Sequence, residues 1–195
     1  MSGSDQDAGH AARPKRADAR RNAETLLDAA ATIFVTSGVE APIRDIAAKA
    51  GVGTATIYRH YPTRADLIIA VYRYQVEALA EAGPALPATS ATPHAALARW
   101  IDLFVDFLVT KHGLAAVLQS DDPCFDPLHS YFLDRLVPVC TQLLDAAAAS
   151  DEIRSDVDAY ELMRAVGGLC ASAGNNPRYD ARRMVELLVA GLRRS

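Results

Sequence analysis

Apolar residues recur along the chain at intervals of three and four, and no stretch alternates apolar and polar positions over the length of a strand. Ala23, Leu26, Leu27, Ala30, Ile33 and Phe34 fall on one face of a helix over about 20–37, with Gly38 as its stop. Ile46, Ala47 and Ala50 make the apolar face of a second helix barely two turns long. Pro42 suits its first turn and Gly51 ends it. After a tight connection at Val52 and Gly53, Ile57 and Tyr61 stack one turn apart on a third short helix over 54–61, which Pro62 closes. Thr63, with Asp66 three residues on, has the form of a capping box. The apolar run through Leu67, Val71, Val76 and Leu79 predicts a long fourth helix to about 82, stopped by Gly83 and Pro84.

Residues 83–93 are Pro, Ala, Ser and Thr without a period and read as a loop. Beyond them every segment is helical: 93–111 with Trp100, Phe104, Phe107 and Leu108, a short piece near 114–119, and 126–150, which Pro138 should kink. Asp158 and Glu161 cap a helix to about 173, and Asn176 with Pro177 opens the last, to about 192. The fold class expected is all-α with about nine helices: a three-helix head and a C-terminal bundle. The organisation expected is a disordered basic arm over 1–17, a short-helix head over 18–63, and a larger helical body over 64–195.

The 195 residues suffice for one well-buried body with a small appended module. Half the residues are apolar, yet the apolar runs are too short to cross a bilayer, and the polar first ten residues do not read as a secretory signal, so a cytoplasmic protein is expected. A net charge of −4 by itself argues against nucleic acid, which makes the distribution decisive. Residues 10–64 hold nine Lys or Arg against five Asp or Glu, whereas residues 76–195 hold ten against sixteen. The positive end, with Arg13, Lys15 and Arg16, is the N-terminus.

Two very short helices joined by a Gly-containing turn are what a helix-turn-helix requires, because its second helix must fit the major groove. Ile46, Ala47, Ala50, Val52, Ile57 and Tyr61 form the predicted seam, leaving Thr54, Ala55, Thr56, Tyr58, Arg59 and His60 facing outward. Small side chains at Thr54 and Ala55 permit close approach to base edges. The hydroxyls of Thr56 and Tyr58 and the His60 imidazole can donate to phosphate oxygens, and Arg64 adds a cation. Arg44 is the expected base-reading residue.

The segments IRDIAAKAGV (43–52) and GTATIYRHYPTRADL (53–67) resemble the signature of the tetracycline-repressor (TetR) family of transcriptional regulators, over about 20–75. The resemblance implies DNA contacts from Arg44, Thr54, Ala55, Thr56, Tyr58 and His60, with Arg64 where the family usually carries a phosphate-binding lysine. Pro42 stands where a capping Thr is common, Gly53 where Ser is, and Tyr61 where Phe is usual. DEIRSDVD (151–158) and the closing GLRR resemble one common C-terminal variety of these regulators. In that family the last two long helices pair with their twins in a four-helix dimer interface. Here Ala165, Gly168 and Ala171, with Gly167, Ala173 and Gly174, form a small-residue face for such a partner or for packing within one subunit, and Leu187 and Leu188 lie on the final helix.

Trp100, Phe104, Phe107, Phe132 and Met163 are either plain core or the wall of a pocket. The resemblance implies a cavity for a small apolar effector, with His112, Gln119 or His129 as its polar handle. Cys124, Cys140 and Cys170 are odd in number and set among apolar residues, which suits reduced core thiols, with a redox sensor at Cys124 as the alternative. Asp121, Asp122 and Asp126 read as a solvated turn; no metal or cofactor is expected. A small helical enzyme is the rival from another class, but no nucleophile, base and orienting residue stand together. A structural dimer without DNA affinity is the third. The partners expected are duplex operator DNA, a second copy of the chain and a small effector, and the expected role is a repressor released by that effector.

Overall fold

The computed structural model describes residues 8–118, 125, 127–171 and 178–194, with side chains for all of these except 8–20 and 109–118. Eight α-helices and one 3-10 turn are formed among the described residues, and β-type pairing there is limited to one isolated bridge. The chain divides into two compact units, Met1–Val71 and Tyr72–Ser195. The first turns of α4 thus belong with the head, whereas the sequence placed the boundary at 63/64.

The first unit holds α1 (Ala8–Ser37), α2 (Ile43–Ala50), α3 (Thr54–His60) and the start of α4 (Arg64–Ala85). Helix α1 starts at Ala8, inside the segment expected to be a disordered arm. Ala, Arg and Lys are strong helix formers, so the backbone can be helical there without an apolar face to bury. Leu26, Leu27, Ala30 and Phe34 of α1, Ile46 and Ala47 of α2, Ile57 of α3, and Leu67 and Ile68 of α4 are buried. Gly38 and Gly51 end α1 and α2 at φ +79° and +69°, the left-handed conformation that glycine adopts without a Cβ penalty. At the second turn the Gly51 N–H donates to the carbonyls of Ala47 and Ala48, releasing the chain directly into α3.

The second unit contains the rest of α4, the turn η1 (Pro87–Thr89), α5 (Pro93–Leu118), α6 (Pro127–Ala149), α7 (Ala159–Ala171) and α8 (Ala181–Ala190). Its core joins Leu97, Trp100, Ile101 and Phe104 with Phe132, Leu136, Cys140, Leu143, Leu162, Met163, Val166, Val185 and Val189, all buried. Helix α5 is one element where two pieces were expected, since Gly113 does not interrupt it. Helix α4 likewise runs through Gly83 and Pro84 to Ala85. Gly83 is there for space rather than as a stop: a Cβ on it would sit 2.1 Å from Val139 Cγ1 of α6. Helix α6 continues through Pro138, which lacks the N–H needed for an intrahelical bond.

Both predicted capping pairs form. The Thr63 N–H donates to Asp66 Oδ2 at 2.9 Å while the Asp66 N–H donates to Thr63 Oγ1 at 3.1 Å. At α7 the Glu161 N–H donates to Asp158 Oδ1 at 2.9 Å. Helix α8 begins later than expected, with Asp180 accepting from the Arg183 N–H at 3.0 Å; Asn176 and Pro177 lie outside the described residues. The chain end folds back: Ile153 and Arg193 form an antiparallel bridge, the Arg154 N–H donates to Leu192 O at 3.1 Å, and the Arg194 N–H donates to Glu152 O at 3.2 Å.

Candidate nucleic-acid interface

Helix α3 is fixed by one buried side chain, Ile57, only 1% exposed. On a helix of about 3.6 residues per turn, Ala55 and Arg59 stand opposite Ile57, Tyr58 on one flank, and Thr56 and His60 on the other. Exposure agrees: Thr54, Ala55, Tyr58, Arg59 and His60 are exposed and Thr56 is half-buried. Tyr58 leaves 53% of its surface uncovered, an exposure that a packing role would not leave to an aromatic residue. The expected seam is present, with Ile46, Ala47 and Ile57 buried and Ala50, Val52 and Tyr61 half-buried. Burial raises the Tyr61 phenol above its ordinary value, so this hydroxyl stays protonated.

Arg44, in the first turn of α2, has 81% of its side chain exposed, with Nε 3.5 Å from Asp45 Oδ1. So exposed a pair holds the guanidinium weakly. Neither Pro42 nor Gly53 caps its helix with a side chain; in their place the Asp45 and Thr56 N–H groups donate to the Pro42 and Gly53 carbonyls, each at 2.9 Å. The family substitutions at these two positions therefore do remove side-chain caps, and backbone turns replace them.

Arg64 departs from expectation. Instead of standing with the outward cations it is half-buried, and its Nη1 donates to the carbonyls of Val39 and, at 2.9 Å, Ala41. These carbonyls belong to the turn between α1 and α2, left unpaired by the chain reversal. The guanidinium, with its fixed fork of donors, ties the start of α4 to that turn.

In the second unit, Trp100, Phe104, Phe107, Phe132 and Met163 are all buried. The rings form one stack: Trp100–Phe104 at 5.8 Å between centroids, Phe104–Phe132 at 6.0 Å and Phe107–Phe132 at 5.8 Å. Tyr72 of α4 meets Phe107 edge-on at 5.7 Å, and the Trp100 Nε1–H donates to Leu79 O at 3.0 Å. His129 is exposed, its ring against Phe132 at 6.4 Å, so it is not a buried polar handle. The side chains of His112 and Gln119, with Cys124, Asp121, Asp122 and Asp126, lie outside the described residues.

Sequence reading passed over two polar features of α4. Gln75 lies on the helix's apolar stripe, and its Oε1 is buried without a hydrogen-bond partner. An unmade bond of this kind costs about 1–3 kcal/mol. Its signal was a lone amide between Tyr72 and Leu79. Glu77 accepts from Arg135 Nε at 2.7 Å and from the Tyr131 hydroxyl, which holds its carboxyl below the usual range, while the Arg73 guanidinium lies 5.2 Å from the Tyr131 ring centre. Burial pushes the Cys140 thiol up to about 12 and raises that of Cys170, as expected of inert core thiols.

Of the small-residue face expected on α7, Ala173 and Gly174 lie outside the described residues. Ala165, Gly168 and Ala171 are exposed, and a Cβ added at Gly167 or Gly168 would meet nothing within 4 Å. Among the described residues nothing packs against the place where either glycine's side chain would be. Leu187 is 57% exposed, with Tyr160 at 40% and Met184 at 39%, while Leu188 is half-buried. Among the described residues no group of three His, Cys, Asp or Glu could hold a metal, and no helix is long and apolar enough to cross a membrane.

Residues 26–71 match the N-terminal domain of bacterial regulatory proteins of the tetR family, and residues 92–194 match the SbtR-like transcriptional regulator C-terminal domain, more than half the chain. The chain belongs to the TetR family. A TetR transcriptional regulator from Streptomyces coelicolor is 35% identical over 89% of this chain and 99% of its own, with a TM-score of 0.76. A TetR transcription regulatory protein from Mycobacterium vanbaalenii is 30% identical over 93% of this chain and 100% of its own, with a TM-score of 0.69. At the level of fold, the TetR architecture extends to the transcriptional regulator FadR from Bacillus subtilis in complex with stearoyl-CoA, 21% identical over 86% of this chain and 96% of its own, with a TM-score of 0.60. No curated protein matches the chain significantly.

Proposed function

We propose that this TetR-family transcriptional regulator binds a pseudo-palindromic operator as a homodimer and represses until a small apolar effector releases it. The observation that carries the reading is the surface of α2 and α3. Thr54, Ala55, Tyr58, Arg59 and His60 project outward around Ile57, the one buried residue of α3, and Arg44 projects from α2, which Ile43, Ile46 and Ala47 anchor. Such an array offers donors and one aromatic edge to a groove and buries nothing of its own. Tyr58, His60 and Thr56 suit phosphate oxygens, which set register, while Arg44 and the small residues Thr54 and Ala55 suit base edges. Arg64 supports the surface from behind.

The exposed Ala165, Gly168 and Ala171 of α7 and the exposed Leu187 and Met184 of α8 support an interface with a second copy, and two-fold symmetry then demands two half-sites about one helical turn or slightly more apart. An effector can switch binding only by favouring one body conformation over another. Helix α4 is the natural transmitter, because one continuous helix carries residues of both units. The aromatic body, and an acyl-CoA held by a regulator of the same fold, favour an apolar effector. Cytoplasmic residence follows from work on DNA.

Fluorescence polarisation on fragments of the source genome, at low and moderate salt, tests this reading. The expected result is a subset of fragments bound at least about a thousandfold more tightly than random DNA, with affinity falling as salt rises. Equal affinity for all fragments, or none, overturns it.

A further inference from the structure

Helix α4 presents Tyr72, Gln75, Val76 and Leu79 along one stripe, at the three- and four-residue spacing of a single helix face. The two ends of that stripe are located by their contacts. Tyr72 meets Phe107, and the Leu79 carbonyl accepts from Trp100. Phe107 and Trp100 lie two turns apart on α5, so Gln75 falls between them, level with Phe104. There its amide oxygen is buried and accepts nothing. Tyr72, a turn away, is itself buried, and that burial raises its pKa. An otherwise apolar wall of stacked rings thus has beside it one polar atom with unused capacity.

A core selected for stability alone would place Leu or Met at this position, because an apolar side chain of similar volume removes the unpaired oxygen at no packing cost. We propose that Gln75 is the polar anchor of the effector site, and that the effector is an aliphatic or aromatic molecule whose hydroxyl donates to Gln75 Oε1. The ring face of Phe104, Phe107 and Phe132 takes its apolar part. This deepens the effector-release reading above and rests on it. It also links recognition to response, since the anchor sits on the helix whose first turn carries Arg64.

The test pairs decanol with decyl methyl ether, equal in chain length but differing in the donor, on full-length wild type, Gln75→Leu and Gln75→Met. Thermal shift and calorimetric titration read binding; polarisation on operator DNA is run in parallel. Without ligand, both variants are expected to melt roughly 3 °C or more above wild type, because the unpaired oxygen is gone. Decanol is expected to bind wild type at least about fivefold more tightly than the ether, and the preference to vanish in both variants. Equal binding of alcohol and ether, binding of neither, a preference that survives in the variants, or variants less stable than wild type each overturn the proposal. If operator binding persists through such a failure, only the anchor is wrong; if operator binding is absent as well, the regulatory reading falls with it.

Discussion

Gly83 offers the sharpest test of how the body is packed. A methyl group placed there would lie 2.1 Å from Val139 Cγ1, about half of an ordinary carbon–carbon contact, and 3.5 Å from Trp100 Nε1. Neither neighbour yields easily. Val139 is β-branched and stiff at χ1, and Trp100 is held by its bond to Leu79 O. Two effects oppose each other in Gly83→Ala. The helix interior gains about 1 kcal/mol from alanine, less here because Gly83 is in the last turn of α4, while overpacking costs about 1–3 kcal/mol. The clash should win, leaving a net loss of about 1–2 kcal/mol and a melting temperature lower by roughly 3–6 °C for a chain of this size. The cycle with Val139→Ala isolates the cause. Removing Cγ1 opens the space, so Gly83→Ala should be neutral or stabilising in that background, a coupling of about 1–2 kcal/mol by urea denaturation. If Gly83→Ala raises stability in the wild-type background, or costs the same with and without Cγ1, the close approach of α4 to α6 is not what fixes glycine here.

Four further outcomes are expected. Arg44→Ala should cost about 1–3 kcal/mol on the preferred operator and relax base choice at one position; equal losses on operator and random DNA in polarisation titrations would make its role electrostatic only. Arg64→Met should lower stability by about 1–2 kcal/mol, since two carbonyls lose their donor, yet leave the slope of log affinity against log salt unchanged; a slope smaller by about one would return Arg64 to the phosphate contacts. Leu187→Glu should shift sedimentation toward the monomer by tenfold or more in dissociation constant, and an unaltered monomer–dimer balance would place the interface elsewhere. Glu77 has a folded-state pKa held below the ordinary value of 4.5, so its contribution is present above that value and is lost as pH falls below it. Glu77→Gln should therefore weaken the protein at neutral pH and flatten its loss of melting temperature on acidification, and parallel pH profiles for the two proteins would refute the sign.

The helical pattern announced most elements because apolar periodicity and capping pairs are local. Thr63 with Asp66, and Asp158 with Glu161, close as their spacing indicates. Where reading failed, tertiary contact had overruled local signals. Gly83 and Pro84 look like a stop, but the glycine answers to Val139 across a helix interface that no window of sequence contains. The outward residues of α3 were legible from one buried position, Ile57, and the period of a helix. The half-buried setting of Arg64 was not legible because its acceptors, on Val39 and Ala41, are some two dozen residues away in the chain. Gln75 was hidden by the same logic: an amide on a stripe is ordinary unless its oxygen proves to be sealed from water.

The return of the chain end to the α6–α7 connection bears on how readily α8 can serve as a platform. Asp180 pins one end of that helix, and the Ile153–Arg193 bridge with the Arg194–Asp151 ion pair pins the other. A ten-residue helix would fray if left loose. Anchored twice, it presents Met184 and Leu187 in a posture settled before any encounter, so a protein docking there forfeits little motional freedom, and clipping the last few residues should loosen assembly without touching a single contact residue.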